Sequence, residues 1–298
     1  MALLIGANLP DVDVLAFLGG PNFPLAFRRG WTHGVPALVV LPFLLAAALA
    51  GLDRLVNHLR GAVLPSGVRP RQLLLLSCIA VWSHPVLDTL NVYGVRWLMP
   101  FAGKWYYGDT LFIIDPWLIV ILGAGVWLSR RRARSRELFR TGHEQPARMA
   151  IGLAGAYILA MTIASSVGSS VAAREIAGLT GGTPSRVMMG PVPVNPFERR
   201  VVAEQEAGYV VAGFDWLRSP HVDPASLRIF PRGPWDTNPV RIASLDPDAK
   251  DWLVWARFPA VLIDSAGAGG PVVHFMDLRY AESPNTGFGS FAVPLRER

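Results

Sequence analysis

Along the first half of the chain, apolar positions come in long blocks and polar ones are rare within them. The blocks fall at residues 1–18, 35–52, 72–92, 111–128 and 149–167. Each approaches the ~20 apolar residues that a helix needs to cross a bilayer. The pattern therefore predicts a membrane α-helical bundle of about five spans. The 35–52 block carries no charge at all. The first block does not read as a cleavable signal peptide, because it lacks a basic leading segment and holds Asp11 and Asp13 among its apolar residues.

Past residue 170 the pattern shortens. Segments at 201–202, 208–214, 227–230, 252–262 and 272–280 are aromatic and β-branched. They are separated by SPHVDP, PRGPWDTNP, DSAGAGGP and ESPNTG, which is the alternation of strands and turns. The expected organisation is a four-span membrane core over 1–128, a basic loop over 129–148 and a fifth transmembrane helix over 149–170. A linker over 171–185 then leads to a small β-rich extramembrane domain over 186–298. No internal repeat is visible.

Composition sharpens this division. Of 298 residues, 51% are hydrophobic and only 17% charged, against about 25% charged in a typical soluble protein. That excludes disorder and disfavours an ordinary soluble enzyme. Residues 1–128 hold 14 charged side chains, and every acid among them is aspartate.

The net charge is +6, and of 28 basic residues only Lys104 and Lys250 are lysine. Residues 130–148 contain seven arginines against Glu137 and Glu144, so the positive-inside rule puts that loop in the cytoplasm. Alternation puts the 53–71 loop inside as well. The 19–34 and 93–110 loops and everything after residue 170 then lie outside. An arginine run can also contact nucleic acid, but no aromatic interleaving or nucleic-acid motif accompanies this one. No nucleic-acid partner is expected. Cys78 is alone, so no internal disulfide forms, and it reads as a small packing residue.

Ionisable residues inside apolar blocks cost about 2.5–3.5 kcal/mol each on insertion scales and call for a partner or a function. Three groups stand out. Asn8-Leu9-Pro10-Asp11-Val12-Asp13 offers two carboxylates beside a proline, suited either to a cation or to a helix cap. Arg28-Arg29-Gly30-Trp31-Thr32-His33-Gly34 precedes the second span, where His33 is either a metal ligand or merely interfacial. Ser83-His84-Pro85-Val86-Leu87-Asp88-Thr89-Leu90-Asn91 puts His84, Asp88 and Asn91 at i, i+4 and i+7, on one helical face. Imidazole and carboxylate are zinc-ligand types; a buried His–Asp packing pair or part of a proton path is the alternative.

Asp109 and Asp115 are candidate extra ligands, and Trp105, Tyr106 and Tyr107 read as an interfacial aromatic belt. His58 and His143 fall in cytoplasmic loops. His221 and His274 have no ligand-spaced partner, and Asp277-Leu278-Arg279-Tyr280 reads as a strand-end salt bridge. With the deduced topology, Asp11, Asp13, His33, His84, Asp88, Asp109 and Asp115 all gather in the outer half of the membrane or at its surface. One site explains that convergence better than scattered packing does.

These stretches, NLPDVD, RRGWTHG, SHPVLDTLNVYG and FIIDPW, together resemble the family of membrane-bound metal-dependent hydrolases of bacterial inner membranes, one branch of which is described as LexA-binding. The resemblance runs through about residue 128 and more loosely to WARFP and DLRY. It implies a multi-span inner-membrane protein with Asp11, Asp13, His33, His84 and Asp88 as motif positions. Family members usually begin with a further helix carrying Thr-His just after the initiator methionine. This chain opens at Ala2-Leu3-Leu4, so the expectation is either a start assigned too late or a site with one histidine fewer.

The functional expectation is a hydrolase holding one or two divalent ions (zinc first, manganese or magnesium otherwise) on Asp11, Asp13, His33, His84 and Asp88. Asp13 or Asp115 would accept a proton, and Arg28 and Arg29 would attract an anionic group. The substrate would be a membrane lipid or a lipid-linked or amphipathic ester, phosphoesters first. Two other classes compete. One is a non-enzymatic scaffold whose exterior domain binds a protein partner. The other is an ion-coupled transporter, which the lack of an inverted repeat disfavours.

Overall fold

A computed structural model describes residues 1–19, 23–61, 69–134, 142, 144–265, 270–284 and 287–295. The 53–71 and 129–148 loops are therefore described only in part, and His143 lies outside the described residues. The first apolar block does not form one helix. Helix α1 covers Ala2–Gly6, and a 3-10 helix follows over Pro10–Gly19. Pro10 lacks the N–H that an α-helix would need there, and the block breaks at that point.

After the short α2 (Phe23–Phe27), the chain forms α3 (Val35–Leu59), α4 (Pro70–Thr89), α5 (Pro116–Arg134) and α6 (Gln145–Thr180). Two of these, α3 and α6, are long and apolar enough to cross a membrane. Their mean hydropathies are 2.4 and 1.8, and only 11% and 17% of those stretches are buried. Core helices of soluble proteins are mostly buried, whereas Val39, Phe43 and Leu44 on α3 and Ile151, Leu159 and Ile163 on α6 are exposed. Apolar surface on that scale calls for a lipid or protein neighbour. His58 belongs to the last turn of α3 rather than to a loop.

The expected linker is largely helix. Residues 171–180 continue α6, which ends at Gly181 in the left-handed conformation (φ 75°), the usual glycine C-terminus. The reason is packing: Ala172 and Ile176 are fully buried beneath a β-sheet.

That sheet comprises β1 (Arg186–Pro191), β2 (Glu198–Gln205), β3 (Gly208–Asp215) and β4 (Arg228–Pro231), antiparallel in sequence order. A second antiparallel sheet comprises β5 (Pro259–Asp264), β6 (Val272–Asp277) and β7 (Ser290–Pro294). The first sheet is covered on both faces. Val201, Ala203, Val210 and Phe214 meet α6, while Val202, Tyr209 and Val211 meet Phe258, Met276 and Leu278 of the second layer. Burial on both sides explains why Val201-Val202-Ala203 in β2 and Tyr209-Val210-Val211-Ala212 in β3 are unbroken apolar runs instead of alternating ones.

The C-terminal part is β-rich but not all β. Residues 252–262, read above as one strand, split into the end of α8 (Pro247–Trp255) and β5. Asp246 caps α8 by accepting from the backbone N–H groups of Asp248 and Ala249. Its Trp252 and Trp255, i and i+3 on one helical face, anchor a core with Phe275 and Tyr93. A shorter α7 (Asn238–Ala243) precedes it.

The C-terminal part docks onto the loops of the helical part. Arg257 forks onto Asp109 at 2.7 and 2.9 Å. Arg199 Nη1 donates to the Thr110 carbonyl, and Trp105 Nε1 to that of Val254. Arg279, buried, pairs with Asp277 at 2.7 Å and also donates to the Val92 carbonyl. The strand-end salt bridge thus doubles as a clamp between the two parts. Asp109 and Trp105 belong to this interface.

Candidate metal centre

Three separated segments deliver four side chains to one point. The 3-10 helix brings Asp11, the turn before α3 brings His33, and the last turns of α4 bring His84 and Asp88. One ligand atom from each lies within 4.8 Å of all the others. His33 Nε2 and His84 Nε2 each stand 3.3 Å from Asp88 Oδ2, and His84 Nε2 stands 3.5 Å from Asp11 Oδ1.

Local packing explains the convergence. Gly6 in α1 touches α4 so closely that a Cβ there would come within 2.6 Å of Ala80 Cβ. This brings the Ala7 carbonyl to 2.6 Å from His84 Nδ1. The turn carrying His33 is pinned by Arg96, which donates to the carbonyls of Ala26 and Arg28, while its own N–H donates to Arg29 O at 2.8 Å. Within that turn Arg29 adopts φ 52°, a region that non-glycine residues seldom occupy.

The hydrogen bonds assign the ring nitrogens. A carbonyl can only accept, so His84 carries a proton on Nδ1, and as a neutral imidazole it presents a lone pair on Nε2. Thr32 Oγ1 donates its single proton to Asp13 Oδ2 at 2.9 Å, so it must accept from His33 Nδ1 at 2.8 Å. As a neutral imidazole, His33 therefore also presents a lone pair on Nε2. A ligating histidine whose other nitrogen donates outward is the usual arrangement around metals.

The four inward atoms, Asp11 Oδ1, His33 Nε2, His84 Nε2 and Asp88 Oδ2, are all buried without a hydrogen-bond partner. Buried polar atoms are normally satisfied. Two imidazole nitrogens and two carboxylate oxygens, aimed at one another and all acceptors when unprotonated, fit a divalent cation.

The remaining expected residues sit around this group, not in it. Asp13 stands behind it with a fully buried side chain, accepting from Arg28 Nε, Arg29 N and Thr32 Oγ1. Arg29 is buried and held by Asp88 Oδ1 at 3.1 Å and Asn91 Oδ1 at 3.1 Å, so it orients a ligand carboxylate. Its guanidinium lies 4.7 Å from the Tyr93 ring centre, a contact the sequence reading missed. Arg28 is partly exposed, 2.9 Å from Asp13 and 3.6 Å from Asp11. Burial lowers its guanidinium pKa, but the bond to Asp13 together with the nearby charges, those of Asp13 and Asp11 among them, outweighs it and raises the pKa, so Arg28 stays cationic.

Asp115 is engaged elsewhere: it caps α5 through the N–H groups of Trp117 and Leu118 and accepts from Tyr157 OH. Asp109 belongs to the Arg257 pair. His221 and His274 lie in the C-terminal part, and neither joins a ligand group among the described residues.

Apolar helices joined to a buried two-histidine, two-aspartate cluster define a class, that of membrane proteins with an internal polar site. The comparisons agree with that class. Residues 1–168 match the family of YdjM inner membrane proteins, which is more than half of the chain, and the chain belongs to that family. It also resembles the uncharacterized protein YfhP of Bacillus subtilis (strain 168), 26% identical over 129 residues. That match covers 43% of this chain and 36% of YfhP, so the chain spans about a third of that relative's length. No solved structure matches.

Proposed function

We propose that this protein is a metal-dependent hydrolase of the bacterial inner membrane, acting at the outer leaflet on lipid-linked or amphipathic phosphoesters or esters. One observation carries the reading: four buried ligand atoms from three segments face one another and lack a hydrogen-bond partner. Asp11, His33, His84 and Asp88 would hold the ion, zinc first given the imidazole pair. When bound, such an ion supplies Lewis acidity to a scissile oxygen and acidifies a water ligand.

The chain's own residues have separable tasks. Arg29 and Asn91 fix Asp88, and Thr32 with Asp13 fixes His33. Arg28 is the partly exposed cation beside the cluster and would attract an anionic head. Asp11 is the ligand carboxylate with the most exposed side chain, 44%, so the proton of the attacking water goes there rather than to Asp13, whose oxygens are engaged, or Asp115. In phosphoester hydrolysis, the water oxygen would bond to phosphorus as the bond from phosphorus to the leaving oxygen breaks, and the leaving group would take up the proton that Asp11 had accepted.

The membrane reading extends beyond α3 and α6. We place α4 and α5 across the bilayer too, with the first apolar block only partly inserted. The arginines at the end of α5 mark the inner side. The cluster and the C-terminal part then lie at the outer side.

The test uses the purified full chain in lipid nanodiscs with a chromogenic alkyl aryl phosphate. Zinc-dependent turnover that Asp88→Ala abolishes supports the proposal. Folded, zinc-loaded protein that turns over neither this phosphate nor the matching carboxylic ester would overturn it in favour of a scaffold.

A further inference from the structure

We infer that an apolar cavity beside the cluster receives the hydrocarbon tail of a single-chain anionic amphiphile, an inference that rests on the hydrolase reading for its head group. The cavity has a volume of about 340 Å³ and lies where the two parts of the chain meet. Phe17, Leu25 and Phe112 line it from the helical part, and Tyr280 and Phe288 from the C-terminal part. Its polar lining includes Arg28 and Asn91, the two side chains that lead to the cluster. Arg28 reaches Asp13 and Asp11, while Asn91 holds Arg29 and stands 3.4 Å from Asp88.

The cavity thus has a cationic end at the reaction centre and an apolar body. That polarity is the complement of an anionic amphiphile. The rest of the rim is greasy and open. Phe17, Ile113 and Phe288 are all more than half exposed, as are their neighbours Leu18 and Ile114. Such a rim lets a tail slide in sideways from a bilayer without crossing water.

Volume selects the occupant further. Ligand cavities run from about 300 to 1,000 Å³, and 340 Å³ lies at the small end. A single hydrocarbon chain suits that space better than the two chains of a phospholipid. The C-terminal part acquires a role as well: it supplies one wall of the tail cavity, and the Arg257–Asp109 and Arg279–Val92 contacts hold that wall in register.

The experiment is photo-crosslinking of the full chain in phosphatidylcholine nanodiscs, with dodecyl phosphate carrying a terminal diazirine as probe. Peptide mapping is expected to find label on the segments of Leu25, Phe112 and Phe288. Excess dodecyl phosphate should displace it, while equal inorganic phosphate and two-chain phosphatidate should not. Leu25→Trp, which fills the cavity, should weaken labelling about tenfold. Phe288→Ala is an exposed position that tolerates truncation and should weaken labelling about threefold.

Label confined to the lipid-facing residues of α3 and α6 would overturn the inference. So would unchanged labelling in both variants, or displacement by phosphatidate as strong as by dodecyl phosphate. The same labelling is run on His84→Ala/Asp88→Ala protein without metal. Retained cavity label there, with no hydrolysis by the wild type, would sink the hydrolase reading while leaving the tail cavity standing.

Discussion

Thr32→Val is the sharpest single perturbation of the proposed centre, because it changes no ligand and almost no volume. The Thr32 hydroxyl accepts from His33 Nδ1 at 2.8 Å and donates to Asp13 Oδ2 at 2.9 Å. Valine removes both bonds at once, so His33 loses the partner that fixes its tautomer and ring angle. Asp13 keeps Arg28 and Arg29 N, which limits the damage to the relay itself. Loss of such an outer partner costs 10–100-fold in metal affinity, or about 1.4–2.8 kcal/mol. Competition against a chromophoric zinc chelator in detergent measures this directly. The expected result is a dissociation constant raised within that range, full occupancy at saturating zinc, and recovery in Thr32→Ser. An unchanged constant would refute the assignment of His33 as a ligand oriented through Thr32.

Three further outcomes follow from the same geometry. Gly6→Ala puts a methyl group against Ala80 and Leu45 and should cost about 1–3 kcal/mol, read as a lower thermal midpoint with weaker zinc binding, since α1 also positions the Ala7 carbonyl. Asp109→Ala strips the carboxylate partner from the partly buried Arg257; about 3 kcal/mol should be lost, with faster proteolysis of the C-terminal part and unaltered metal content. Chelation should lower the thermal midpoint of the wild type, and zinc at 100 times its dissociation constant should restore about 2.7 kcal/mol; equal midpoints with and without metal would count against a resident ion.

Much of the centre was legible in the sequence because helical spacing alone aligns His84 with Asp88, and because burying ionisable residues in apolar blocks demands a reason. The division of labour between Asp11 and Asp13 was not legible. They are two residues apart, and only the 3-10 winding after Pro10 decides which one faces inward. Arg29 was equally hidden, since a left-handed turn directs it to Asp88 rather than outward.

In the fold, the missed features had local signals that the dominant composition masked. Asp246-Pro247 is a helix start and Trp252 with Trp255 a helical face, yet aromatic content favoured a strand. Ala172, Ile176 and Gly181 continue and close α6, but they follow the apolar block and precede a Pro- and Gly-rich stretch. The docking of the two parts through Arg257 and Arg279 joins residues nearly 150 or more positions apart, which no local pattern encodes.

The most direct test of the metal centre is elemental analysis of the purified full chain. Wild-type protein should carry stoichiometric divalent metal, zinc foremost, and His84→Ala/Asp88→Ala should lose it while remaining folded. A folded wild type free of metal even after zinc supplementation, or a double variant with undiminished metal, would contradict the account.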